Sequence, residues 1–378
     1  MTQPLLLLTI IILSLSGVTL GEASTSQPGI VGMLSGDAEA GFARAVEPMD
    51  FVFPTDHGPH PDYKIEWWYH TGNLRTSDGR EFGYHLTFFR NALRPKIPKR
   101  ESHLATNQIY MAHFALTDIE PKTHVSLERY SRGAAGLAGA RGEPTYKVWL
   151  EDWSAEAVDT HIIRLRAVDN QIKPQIAIDL LLRETRQPIL HGEQGLSQKG
   201  PEQGNANHYY SLVGLRTQGT ITSDGKTYRV TGISWMDHEF GTSALSKGVV
   251  GWDWFGLQLD DDAALMFGRL RHHNGRDGGI FEGTVAYVDG RQIQIQPQDF
   301  TLTVTDHWTS SETGITYPSG WQMDFPKLDI ELQIQPLIPN QELSTGFTYW
   351  EGAVSVEGMM DGVQVKGRGY TELTGYDQ

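Results

Sequence analysis

The chain has 378 residues, a formal charge of −15 and no cysteine. So acidic a surface, with no dense block of Lys or Arg, repels phosphate backbones and anionic lipid, which excludes nucleic-acid binding and leaves peripheral membrane contact at most. The missing cysteines exclude disulfides and a lipidated lipobox, so stability rests on a large core, which a chain of this length can build.

Met1 to Leu20 contains no acid, and an apolar run from Leu5 to Leu13 leads to small residues at Gly21 and Ala23. This layout predicts a signal peptide over residues 1–23 and export to the periplasm or beyond. An uncleaved N-terminal anchor is the alternative, because no Lys or Arg precedes the apolar run. No later segment approaches the roughly 18 continuous apolar residues of a membrane span. Residues 24–47 read as a linker. From Asp50 onward, short alternating segments follow one another: 66–74, 81–90, 110–119, 146–153, 162–168, 175–183, 208–219 and 227–234. A second series runs 252–260, 264–271, 281–288, 300–305, 328–334, 349–356 and 363–372. Asp-Gly pairs at 78–79, 224–225, 289–290 and 361–362 join several of these as hairpins.

With ten Trp, 14 Tyr, 14 Phe and 41 Gly, and almost no 3.6-residue period, the chain reads as all-β and antiparallel. Evenly spaced strands imply sandwiches or up-and-down barrels, and the length predicts two domains, over 48–245 and 246–378. An internal echo agrees: Trp68 to Gly72 and Trp252 to Gly256 both read Trp-x-x-x-Gly, followed by an acidic turn and an aromatic strand ending in arginine.

Two motifs carry candidate chemistry. In Glu66-Trp67-Trp68-Tyr69-His70, alternation puts Glu66, Trp68 and His70 on one side of a strand and Trp67 and Tyr69 on the other. One reading has a tryptophan plugging a barrel end while Glu66 pairs with an arginine such as Arg90. The other makes Glu66 a catalytic group and the aromatic residues a cavity wall, joined by Tyr84, Phe88, Tyr110 and His113 from the neighbouring strands. In Trp235-Met236-Asp237-His238-Glu239-Phe240, an acid enclosed by aromatic rings is pushed towards its protonated form and can donate a proton. His238 would then hold that acid or accept a proton from water. Trp235, Trp252 and Trp254 extend the aromatic wall, and Tyr210 adds a polar-tipped ring. His57-x-x-His60 and His272-His273 match no recognised catalytic metal spacing, and neither a nucleotide loop nor a serine-hydrolase elbow occurs. No metal or cofactor is expected.

The combination of Asp50 to Leu74, His208-Tyr209-Tyr210-Ser211, Gly232 to Gly241, Tyr349 to Val354 and Gly369 to Tyr376 resembles the carotenoid 1,2-hydratase/AttH-like family, whose members are often labelled secreted hydrolases. The resemblance covers residues 48–378. It implies two lipocalin-like (calycin) β-barrels in tandem, with Asp237 and His238 matching the family's acid-His motif. Phe240 stands where the hydratases tend to carry Trp. It also implies company with transporter components, here an ABC-type export system.

These readings lead to an exported lipocalin-like protein that binds a hydrophobic small molecule (a polyene, terpenoid or lipid) and hydrates or hydrolyses it, with Asp237 as acid. The rival is a non-catalytic carrier of such a ligand beside an export system. A ligand-free module whose aromatic residues merely fill both barrels is the third possibility.

Overall fold

A computed structural model describes residues 40–96, 102, 105–169, 175–242, 245, 248–272 and 277–377. The expected signal peptide and most of the expected linker lie outside the described residues. Among those described, no helix is long and apolar enough to cross a membrane.

The protein is all-β. Among the described residues, two antiparallel sheets of 13 and 10 strands curl into lipocalin-like units, one nearly closed and the other a half-barrel. The first sheet is centred on Ile65–Arg75, which pairs with its successor Glu81–Ala92 on one side and with the late strand Lys226–Gly241 on the other. The second repeats this plan. Val249–Leu259 pairs with its successor Ala264–His272 and with the last strand, Val363–Leu373. The Trp-x-x-x-Gly echo falls on these two corresponding strands, Ile65–Arg75 and Val249–Leu259.

The Asp-Gly pairs work as their chemistry requires. Asp224 and Gly225 have φ of 49° and 71°, and Asp361 and Gly362 have 52° and 72°. Positive φ at both central residues matches the right-handed twist of the flanking strands, which is why these turns close the long hairpins. Expected and observed strands differ in two instructive places. Residues 146–153 form no single strand, because Glu151 turns at φ 56° and Lys147–Leu150 folds back on Trp153–Asp159. Leu150 and Trp153 are thus paired and both buried, an apolar pair that looks continuous in sequence. Thr316–Phe325, which carries Pro318 and Gly320, was not among the expected strands. The strand tolerates them because its partner Thr301–Thr309 is irregular opposite them, between Val304 and His307.

Of the five apolar clusters among the described residues, three bear on the site. The first unit's interior contains Trp68, Tyr84, Phe88, Phe114 and Leu180, and the second unit's contains Phe255, Trp321, Leu332 and Trp350. The third lies at the junction, where Tyr69, Tyr209 and Trp235 from the first unit meet Met266 and Trp254 from the second. Each such large side chain contributes about 1.5–3 kcal/mol by leaving water. The junction is therefore a packed core that fixes the outer face of one sheet against the other unit.

Candidate active site

Everything of chemical interest lies around Lys226–Gly241, which runs between Ile65–Arg75 and Ala206–Ser223. Alternation sends its residues to opposite faces. Met236, His238 and Phe240 enter the first unit, whereas Trp235, Asp237 and Glu239 face the second. The register places Trp68 and Tyr210 beside His238, and Tyr69 and Ser211 beside Asp237.

The inner face is an ion cluster. Glu66, 1% exposed, takes Arg90 Nε at 2.7 Å, His238 Nε2 at 2.9 Å and His60 Nδ1 at 3.0 Å. Burial alone would raise its pKa, but Arg90, His238 and His60 outweigh that and hold it well below the usual carboxylate range. His60 rises to about 9 despite burial, through its hydrogen bonds to Asp56 and Glu66. His238 goes the other way, since burial lowers it and keeps it neutral. Trp68 stacks on His238 with ring centres 5.0 Å apart, and the Tyr210 hydroxyl lies 2.9 Å from His238 Nδ1.

Glu66 is thus paired with Arg90 and His238, and His238 leaves the sheet on the face away from Asp237. His60, Glu66 and His238 bring three ligand atoms within 4.8 Å of one another. They suit a metal ion poorly, because the one carboxylate is already matched by the Arg90 guanidinium and by the His60 imidazole, which its hydrogen bonds to Asp56 and Glu66 keep protonated.

The outer face lines a cavity of about 110 Å³ between the units. Trp67 and Tyr69 come from the first sheet and Trp252 and Trp254 from the second. Asp237 accepts hydrogen bonds from Tyr209 Oη at 2.7 Å and Trp235 Nε1 at 2.5 Å, and a very short one from Ser211. Burial pushes its pKa up to about 7; the three donors oppose the rise and neighbouring Glu239 adds to it. Glu372 also sits at about 7, raised by burial and held by Trp252 Nε1 at 3.0 Å. Opposite it in the ladder, Glu351 is driven well above the ordinary range by burial and by Glu372, and it accepts the Tyr69 hydroxyl at 2.7 Å. Lys199 lies 2.8 Å from Glu239 and 3.5 Å from Glu282. The cavity thus joins aromatic walls to two carboxyls, Asp237 and Glu372, that burial raises to about 7.

Of the residues expected from sequence, Asp237, Trp67, Tyr69, Trp252 and Trp254 meet in this cavity, and Trp235 braces Asp237 from behind. Trp68, Tyr84, Phe88, Tyr110 and Tyr210 do not reach it; they fill the first unit's core. His113 is held by Tyr349 at 2.7 Å and Glu128 at 2.9 Å, outside the cavity lining. Sequence reasoning chose the wrong member of Tyr209-Tyr210, although alternation shows that only one can face the Asp237 side. It also passed over Glu372, which stood within the Gly369 to Tyr376 motif. Lys199 lies in an irregular stretch that carries no periodic signal.

Comparison with known proteins agrees with this architecture. A family profile described as AttH-like matches residues 44–376. The crystal structure of a protein provisionally called AttH, from Nitrosomonas europaea, is 34% identical, with TM-score 0.77, covering 89% of this chain and 100% of that one. Kievitone hydratase from Nectria haematococca is 13% identical with TM-score 0.68, over 89% of this chain and 97% of that one. CghA is 12% identical with TM-score 0.50, over 90% of this chain and 97% of that one. The last two share the fold. No curated protein matches the sequence. On its profile match, and on its likeness to the Nitrosomonas protein, the chain belongs to the AttH-like family.

Proposed function

We propose that the protein is a hydratase that adds water across a carbon–carbon double bond of a hydrophobic small molecule held between its two units. One observation carries this reading: Asp237 is enclosed by Trp235, Tyr209 and Ser211 at the wall of an aromatic cavity, with its pKa raised to about 7. A carboxyl in that state is protonated often enough to donate, and acidic enough to do so. Asp237 gives its proton to one alkene carbon, and the π electrons form the new C–H bond. Trp254 and Trp252 present ring faces that favour the cation left on the other carbon. Water bonds to that carbon and returns its surplus proton to the Asp237 carboxylate, which restores the acid. Ser211, fully buried between Asp237 and His191 Nε2 at 2.6 Å, has no access to a substrate as a nucleophile, which supports water addition over acyl hydrolysis.

The cavity size bears on the rival carrier reading. Sites that enclose a whole ligand run to about 300 Å³ or more, so about 110 Å³ admits the reacting end of a polyene or terpenoid and stores no complete lipid. Within this proposal the protein is exported, periplasmic or secreted, by its leader-like opening. It works beside an ABC-type export system, in keeping with its family resemblance.

The test is incubation of the protein with a panel of isoprenoid and polyene alkenes in ¹⁸O-labelled water, followed by mass spectrometry. One labelled oxygen should enter a substrate, and Asp237→Asn should slow this by about 10²–10⁴-fold while the fold stays intact. Normal turnover by that variant would remove Asp237 from the role of proton donor.

A further inference from the structure

A hollow of about 630 Å³ opens on the outer face of the first sheet, where Leu337 and Arg368 of the second unit contribute to its lining. Four arginines line it, Arg75, Arg183, Arg216 and Arg368, against one acid, Glu81. Glu81 is engaged by Arg368 at 2.9 Å and stands opposite Arg75 in the ladder. Arg183 and Arg216 are direct cross-strand partners. Neither forms an ion pair among the described residues. Like charges directly opposite on a sheet destabilise it, and they do so here in a chain whose overall charge is −15. A second hollow of about 660 Å³ shows the ordinary arrangement: its Arg141 and Lys147 share Glu156, and Arg164 is matched by Asp179. The first hollow lacks that neutralisation. It also lacks the raised carboxyls of the smaller cavity, so its chemistry is that of binding.

We propose that the hollow between Arg75, Arg183, Arg216 and Arg368 binds a small soluble ligand through a phosphate or pyrophosphate group. Guanidinium forks present paired donors to phosphate oxygens. Three arginines without ion pairs favour a group of more than one negative charge over a single carboxylate. The acidic remainder of the surface repels extended polyanions and anionic bilayers, which leaves small ligands as the class that can enter. Asn73 also lines the hollow, with its Nδ2 tied to the Gly369 carbonyl at 3.0 Å.

Inorganic pyrophosphate is the probe, titrated calorimetrically into the full chain in phosphate-free, low-salt buffer. Saturable binding is expected, weakened about tenfold by Arg216→Gln and unchanged by Arg164→Gln in the other hollow. Arg75→Gln, on a different strand, should act in the same direction as Arg216→Gln. Without ligand, Arg216→Gln should raise the melting temperature by relieving repulsion, and pyrophosphate should raise it in the wild type more than in the variant. No binding, or equal weakening by Arg216→Gln and Arg164→Gln, would overturn the site. Binding to phosphatidylglycerol vesicles without binding to pyrophosphate would overturn the small-ligand assignment and point to a membrane headgroup.

Discussion

Glu66 and Asp237 lie on directly paired strands, both are buried, and their pKa values move in opposite directions. Glu66 faces inward to Arg90 and His60 and stays ionised. Asp237 faces the junction, where the charges acting on it come from other acids, and it rises to about 7. Burial is common to both and so decides neither. What separates them is their immediate partners: Glu66 is paired with Arg90 and His60, whereas Asp237 accepts hydrogen bonds from the neutral donors Tyr209, Trp235 and Ser211.

The strongest way to break this comparison is to take the cation from Glu66. Arg90→Met should cost about 3–5 kcal/mol in denaturant unfolding, because it strands a buried charge. Replacing both partners, Glu66→Gln with Arg90→Met, should recover much of that loss. A milder test is pH. Asp237 has a folded pKa above its unfolded value, so its contribution to stability is complete below about pH 4 and is lost as pH rises through about 7. Glu66 has the reverse sign, with a contribution present above its unfolded pKa and lost as pH falls towards its depressed folded one. Between about pH 4 and 7 Asp237 should therefore remove up to about 1.4 kcal/mol of stability per pH unit. Asp237→Asn should flatten that part of the slope, and an unchanged slope would deny the raised pKa.

Tyr209→Phe sharpens the picture at about 1 kcal/mol, the usual net value of one buried hydrogen bond. It deletes the donor 2.7 Å from Asp237, so a carboxyl titration followed by NMR should move to higher pH. Lys366→Met, which breaks an exposed pair with Glu357, should change stability by no more than about 0.5 kcal/mol. That near-zero outcome calibrates the buried pairs.

The strands around these groups were legible because alternation and Asp-Gly turns are local. Alternation also sorted Glu66 from Tyr69, and His238 from Asp237, onto opposite faces. It could not say which face would be enclosed by a second unit, because that depends on Glu372 arriving from more than a hundred residues beyond Asp237. The preference for Tyr210 over Tyr209 and the pairing of Asp237 with His238 in one site both come from this gap. Adjacency in sequence was read as proximity in space, and within a strand adjacent side chains point apart. Lys199 was invisible for another reason: it follows a strand, Leu196–Gln198, that is too short to show a period.

The stretch from Trp235 to Gly241 is written in two interleaved alphabets. Changes at 235, 237 or 239 alter the junction cavity and leave the ion cluster at the barrel end untouched, while changes at 236, 238 or 240 do the reverse. The lining of the junction cavity can therefore change at alternate letters while the contacts of the ion cluster keep their residues. Inserting one residue would exchange the alphabets, putting an unpaired acid inside the barrel and a neutral imidazole in the cavity. Chemical novelty in this architecture is open to substitution and closed to frame.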